Sequence, residues 1–104
     1  MHEPDRSRKS GVALEKSYQF LLGDRLQTLA LDVQESLIEA TYAKSPTTHL
    51  QNCNLRLEKL RFLLRLCMDL RYLDLGRYEF SARAIDEIGR LVGGWLKVQR
   101  GTTA

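Results

Sequence analysis

Basic side chains at helical spacing are the residues of this sequence best placed to do chemistry. Arg83, Arg90 and Lys97 recur every seven residues, which places them along one side of a helix. Arg61 and Arg65 are four residues apart, or about one helical turn. Because the guanidinium group is planar and donates paired hydrogen bonds, it suits phosphates and carboxylates. The pattern therefore predicts a surface that binds nucleic acid or an acidic protein.

Arg61 and Arg65 are also flanked by leucine and phenylalanine, and a charge in an apolar setting is costly unless it has a partner. A cyclic oligomer would repeat each basic patch and strengthen the local field. The alternative is a set of ordinary solvated charges on a bundle surface. We expect binding to nucleic acid or to a protein partner to be carried by Arg61, Arg65 and Arg90, with support from Arg83, Lys97 and Arg100.

The net charge of +3 is distributed unevenly along the chain. Residues 1–55 carry six basic and seven acidic side chains, whereas residues 56–104 carry ten basic and six acidic ones. Eight of those ten basic residues are arginine. Asp32, Glu35 and Glu39 share one helix face, which is either a solvated surface or a dock for a basic patch on a neighbouring subunit.

The sequence offers little for catalysis or for a metal cofactor. His49 and Cys53 lie one turn apart, but a zinc site needs more nitrogen and sulfur ligands than this chain supplies. Asp86 and Glu87 are adjacent and therefore point to different helix faces, so they cannot act as a convergent acid and base. We predict a non-catalytic protein with no cofactor.

Apolar residues at three- and four-residue spacing predict three long helices, over 22–43, 48–73 and 77–98, with the last starting at Arg77 or Phe80. We expect the first helix to bury Leu22, Leu26, Leu29, Val33, Leu37 and Ala40. Pro46 breaks the chain between the first two helices, and Thr47 or Thr48 is predicted to cap the second. Gly76 is predicted to supply a positive φ in the next turn.

The two ends of the chain lack this periodicity. We predict a mobile tail over residues 1–10, at most a short helix over 12–20, one helical bundle domain over 11–100, and a C-terminal tail over 101–104. The expected fold is an all-α, up-down antiparallel bundle of three long helices with a short or truncated N-terminal helix.

Three glycines interrupt the apolar helix pattern of residues 84–96. Gly89, Gly93 and Gly94 each cost an α-helix about 1 kcal/mol relative to alanine. Gly89 and Gly93 lie one turn apart on a face that another backbone can approach closely. The two explanations are a tight helix crossing within the protein's own core and a close contact between subunits, with Trp95 as an aromatic anchor.

The predicted second helix is apolar around most of its circumference. One set of residues, Cys53, Leu57, Leu60, Leu64 and Cys67, forms a bundle seam. A different set points away from the seam: Leu55, Phe62, Leu66 and Leu73. A chain of 104 residues has little core in which such a helix is central, so a partner must cover it. We predict a cyclic homo-oligomer with an interface formed by Leu55, Phe62, Leu66, Gly89, Gly93 and Trp95.

Composition agrees with one ordinary globular domain, since 43% of the residues are hydrophobic and 28% are charged. No apolar run reaches the length of a membrane span, and no signal peptide is visible, so we expect a cytoplasmic protein without a membrane partner. Cys53 and Cys67 are 14 residues apart on one predicted helix and cannot reach each other for a disulfide. We expect both to be reduced core residues.

Two stretches resemble a known family. Residues 60–66, Leu-Arg-Phe-Leu-Leu-Arg-Leu, are followed by residues 87–96, Glu-Ile-Gly-Arg-Leu-Val-Gly-Gly-Trp-Leu. Together they closely resemble the accessory variability determinant (Avd) proteins of diversity-generating retroelements. Residues 22–26, Leu-Gly-Asp-Arg-Leu, are similar to the second helix of the wider four-helix-bundle group, which includes proteins encoded in rRNA intervening sequences. The resemblance covers roughly residues 18–100.

The resemblance implies a helical bundle that assembles into a pentameric barrel, binds the retroelement's reverse transcriptase and its RNA, and has no catalytic activity. The resemblance also supports the interpretation that the basic residues bind a ligand, because Arg61, Arg65 and Arg90 lie within the matching motifs. The chain departs from the four-helix pattern at its N-terminus, where about 20 residues stand in place of a long first helix. A missing helix would leave an apolar groove along Leu26, Leu29 and Val33.

Two functional hypotheses follow. The first is a non-catalytic accessory protein that binds reverse transcriptase and template RNA or cDNA during mutagenic reverse transcription. The second is a four-helix-bundle scaffold or adaptor whose basic face binds an acidic protein. A neighbouring gene for a reverse transcriptase, with a template repeat and a variable repeat, favours the first hypothesis.

Overall fold

Three α-helices make up the protein in a computed structural model that describes residues 3–103, with side chains over residues 13–101. They are α1 (Glu3–Tyr42), α2 (Thr47–Asp69) and α3 (Leu75–Thr103). No strand is present in this range, so the predicted all-α class is confirmed. Short connections make neighbouring helices antiparallel. The described residues contain no separate fourth helix.

The N-terminal region differs from the prediction because α1 is one continuous helix of 40 residues. We expected a tail over 1–10 and a helix beginning at Leu22, but residues 3–10 are already helical. Pro4 does not prevent this, since it lies in the first turn, where a helix does not use the missing N–H. The predicted C-terminal tail is also helical up to Thr103. Residues 1, 2 and 104 lie outside the described range.

The first connection lies where Pro46 predicted it, between Tyr42 and Thr47. The predicted threonine cap is wrong, because Thr47 is already inside α2. Pro46 holds the cap position, and no side-chain hydrogen bond is made there. Its carbonyl accepts a hydrogen bond from the Leu50 N–H at 2.9 Å.

The second connection turns at Arg71, whose φ of 64° is in the left-handed region. The Arg71 N–H bonds to the Met68 carbonyl and the Tyr72 N–H to the Cys67 carbonyl, both at 2.9 Å, which is the Schellman pattern. The prediction that Gly76 supplies the positive φ is therefore wrong, since Gly76 lies inside α3. Asp74 caps α3 instead by accepting a 2.8 Å bond from the Arg77 N–H.

Arg71→Gly is expected to raise the free energy of unfolding by about 1 kcal/mol, because a Cβ in the left-handed region costs roughly that much. Arg71→Ala keeps the Cβ and is the matched control, so it should bring no comparable gain. Denaturant titration of both variants measures the difference. Equal stability of the two would mean that this strain is not what limits the turn.

The core lies between α2 and its two neighbours. All five residues of the predicted α2 seam are buried. The core cluster consists of Leu29, Val33, Ala40, Leu50, Cys53, Leu57, Leu60, Leu64, Ile85, Val92 and Leu96. Among the described residues, no Cα of α1 comes within 8 Å of a Cα of α3. Since α2 alone joins the other two helices, the bundle is open along one side.

The core also contains two thiols and one buried hydroxyl group. Cys53 and Cys67 are free and buried. Burial raises the pKa of both thiols, so they stay protonated and unreactive near neutral pH. Ser36 is the buried polar residue of α1, and its hydroxyl accepts a hydrogen bond from Arg56 of α2. Across the described residues, no helix is both long and apolar enough to span a lipid bilayer.

Candidate nucleic-acid and partner interface

Arg61 lies in the seam between α2 and α3 rather than in open solvent. Its Nε is 3.2 Å from Asp86 Oδ1, and its guanidinium also pairs with Glu58 one turn earlier. The side chain is half-buried. A Cβ built on Gly89 would lie only 2.7 Å from Arg61 Nη2. Gly89 thus gives the Arg61 guanidinium room to lie across α3. Packing within the protomer therefore explains why this residue is glycine.

Arg65 continues the same seam one turn further along α2. Its Nε is 3.1 Å from Asp69 Oδ1, and the side chain is exposed. The Tyr78 side chain and the Asp69 carboxylate raise the pKa of the Arg65 guanidinium. Both arginines of the predicted pair therefore already face carboxylates of their own chain. This reduces the net positive potential that they offer to a ligand.

The basic residues of α3 form a more open group along its outer side. Arg83, Arg90, Lys97 and Arg100 are all exposed. Arg83 lies 3.9 Å from Glu79. Within the part of the chain that the structure describes, Arg90 and Lys97 have no carboxylate within 4.0 Å. Their charges are therefore not locally neutralised, and of the predicted binding residues they are the most available to a phosphate.

Gly93 and Gly94 have open space around them. A Cβ at either position would meet no described atom within 4 Å, apart from the local helix backbone. No packing within the described protomer explains these two glycines, in contrast to Gly89. Trp95, the predicted anchor, is half-buried and packs against the protomer's own core.

Gly93→Ala should raise the free energy of unfolding of the dissociated protomer by about 1 kcal/mol, the helix propensity difference between the two residues. Gly89→Ala should gain less, because its methyl group would displace the Arg61 guanidinium from Asp86. Denaturant titration at a concentration where the mass is that of one chain measures both. A larger gain for Gly89→Ala would contradict the packing role of that glycine.

The outer side of α2 carries the other predicted interface residues. Leu55 is 56% exposed and Phe62 is 71% exposed, while Leu66 is half-buried. Leu55 and Phe62 therefore remain largely exposed, and Phe62 borders a depression shared with Arg25 and Leu29 of α1. The three α2 side chains form an apolar strip next to the Arg61–Arg65 seam, so the predicted interface is continuous with the polar seam of the same helix.

Sequence reasoning missed an exposed apolar residue beside the basic group of α3. Leu91 is 74% exposed and lines a shallow depression with Glu87 and Arg90. The sequence contains a pattern that indicates this exposure: Ala84, Leu91 and Val98 each directly follow one of the regularly spaced basic residues of α3. Leu91 therefore adds an apolar surface next to the Arg90 cation and the Glu87 carboxylate.

The described residues contain no group of three histidine, cysteine, aspartate or glutamate side chains that is able to hold a metal ion. His49 Nδ1 of α2 lies 4.0 Å from Glu39 Oε2 of α1, whereas Cys53 is buried in the core.

These features define a small three-helix protein with a basic outer surface. The sequence profile of the bAvd-like family matches residues 13–99, which is most of the chain. The chain belongs to the bAvd-like family. The predicted resemblance to Avd proteins is thereby confirmed. Searches of curated proteins and of solved structures give no significant match.

Proposed function

We propose that this protein is a non-catalytic accessory protein of a diversity-generating retroelement. In this role it binds the reverse transcriptase and template RNA or cDNA and supports mutagenic reverse transcription. Membership of the bAvd-like family suggests the setting. The single observation that carries the binding part is the pair of unneutralised, exposed cations Arg90 and Lys97 on the outer side of α3.

The contact with nucleic acid is electrostatic and only weakly dependent on sequence. Arg90 and Lys97 lie seven residues apart, or about 10 Å along the helix, which is close to the reach of a few nucleotides. Arg83 and Arg100 extend the group at either end. Exposed Leu91 adds an apolar surface between them. Arg61 serves mainly to position α3 against α2 through Asp86, and the charge of Arg65 is offset by Asp69 on its own helix.

Self-assembly into a closed ring is the second part of the proposal, and family resemblance suggests five chains. The apolar strip of Leu55, Phe62 and Leu66 and the open surface at Gly93 support it. A ring repeats the Arg90–Lys97 pair around an axis. The field of one protomer is modest, but the repeated field attracts a polyanion strongly.

Joint purification tests the proposal directly. Tagged protein, produced together with the retroelement's reverse transcriptase and template RNA, should retain both, since each binds a surface on the outside of the bundle. Arg90→Ala with Lys97→Ala should lose most of the RNA when the polymerase is omitted. Retention of an unrelated acidic protein but neither retroelement component would favour a scaffold or adaptor instead.

A further inference from the structure

An apolar groove lies between α1 and α3, and none of the basic residues on the outer side of α3 lines it. Its volume is about 720 Å³. The floor is formed by Leu57, Leu60 and Leu64 of α2, and the walls include Ala30 of α1 and Ala84 of α3. Both alanines are exposed. The groove exists because α1 and α3 each pack on α2, while no described Cα of α1 lies within 8 Å of a Cα of α3.

Residues 13–21 of α1 carry an apolar helix face that the described residues leave exposed. No residue of 13–21 is buried, and the first buried residue of α1 among the described side chains is Leu22. Leu14, Tyr18 and Leu21 are 71%, 48% and 61% exposed. Their spacing of four and three residues places them on one side of the helix. Exposed apolar side chains on one helix face are stabilised when a partner covers them.

We propose that the groove of one chain binds the Leu14–Tyr18–Leu21 face of a second copy. Amphipathic helices dock into apolar grooves through anchors at this spacing. The lengths agree, since the α1 wall of the groove covers residues 23–33, about 15 Å, and the segment 13–21 covers about 12 Å. The segment 13–21 cannot fill the groove of its own chain, because it is continuous with the helix that forms the wall.

Charge also favours this occupant. Arg77 is the one charged residue that lines the groove within the described chain; its Nε lies 3.6 Å from Asp74 Oδ2, which leaves its other guanidinium donors for a second carboxylate. In the segment, Glu15 follows Leu14 directly and lies at the edge of the apolar face. The opposite side of the segment carries Lys16, Gln19 and the exposed Phe20, which lie outside the contact. The docked helix therefore brings a carboxylate towards the Arg77 wall and keeps its own cation away from it.

The contact is head-to-tail, because each chain gives a segment to one neighbour and receives one from another. Such an interface closes into a ring when the rotation between copies allows it. The docking rests on the self-assembly proposed above and adds the surfaces that perform it.

Two full-length variants test the docking. Leu14→Asp with Leu21→Asp removes the segment's apolar face, and Ala30→Glu with Ala84→Glu places two carboxylates in the groove. Matched controls carry similar changes outside the contact, namely Lys16→Asp with Gln19→Asp and Gln51→Glu with Asn52→Glu. All eight positions are exposed, so circular dichroism should show unchanged helix content. Light scattering coupled to size exclusion gives the masses.

Each of the two variants is expected to have the mass of one 12.0 kDa chain, while the controls keep the wild-type mass. An equal mixture of the two variants should form a two-chain complex, since one retains a working segment and the other a working groove. If both variants keep the mass of the wild-type assembly, or if their mixture stays monomeric, the proposed docking is wrong. If the two docking variants still assemble but Phe62→Asp does not, the chains associate through the α2 strip, and only the groove contact is wrong.

Discussion

Replacing Arg90 and Lys97 together by alanine is expected to lower the affinity for single-stranded RNA by about 25-fold at 0.1 M salt. The estimate assumes two phosphate contacts, each of which contributes about 0.7 to the slope of log affinity against log salt. The slope should therefore decrease by about 1.4. Fluorescence anisotropy with a labelled oligonucleotide, repeated at several salt concentrations, measures both quantities.

The matched control is Arg25→Ala with Lys44→Ala, which removes two exposed cations away from α3. It should change the affinity far less than the α3 pair. Arg61→Ala with Arg65→Ala should also have a smaller effect, because Asp86 and Asp69 already compensate these guanidiniums. If the seam pair matters more than Arg90 and Lys97, the nucleic acid binds at the α2–α3 seam instead.

The protein partner can be separated from RNA with the same variants. An Arg90→Ala and Lys97→Ala protein that keeps wild-type RNA affinity and salt slope, yet no longer retains the reverse transcriptase, would assign these cations to the polymerase. The chemistry is similar in the two cases, since carboxylates and phosphates both accept hydrogen bonds from guanidinium groups.

Phe62→Asp is expected to reduce the assembly from about five chains to one at micromolar concentration. Burying a phenylalanine side chain contributes about 1.5–3 kcal/mol, so each lost contact weakens association by a factor of roughly 10–150. The ring loses this contribution at every interface. Gly93→Leu should have a similar effect through overpacking, since no part of the described protomer occupies the space beside Gly93.

Ile38→Asp is the control for Phe62→Asp, because Ile38 is also apolar and is 57% exposed, but on α1. Its mass should remain that of the wild type. Both substitutions are at exposed positions, so the free energy of unfolding of the protomer should change by about 0.5 kcal/mol or less. A wild-type protein that is monomeric at this concentration would overturn the proposed ring.

The sequence by itself determined the elements that follow from local patterns. The apolar period predicted the buried seam of α2 because a helix repeats every 3.6 residues whatever surrounds it. Pro46 marked the first break because proline restricts its own backbone and that of the residue before it. The N-terminal extent of α1 was missed, since residues 5–10 are polar or charged and the helical spacing of Leu14, Tyr18 and Leu21 covers only two turns.

Only the tertiary structure decided what each glycine and each arginine does. Gly89 and Gly93 are indistinguishable in sequence, yet Arg61 fills the space over one and the other is open. The sequence analysis placed Arg61 and Arg90 in one predicted binding group, but only Arg61 forms an ion pair with Asp86. Helical periodicity fixes the direction of a side chain around its own axis. The neighbour found in that direction depends on how separate helices pack, and residues far apart in the chain determine that packing.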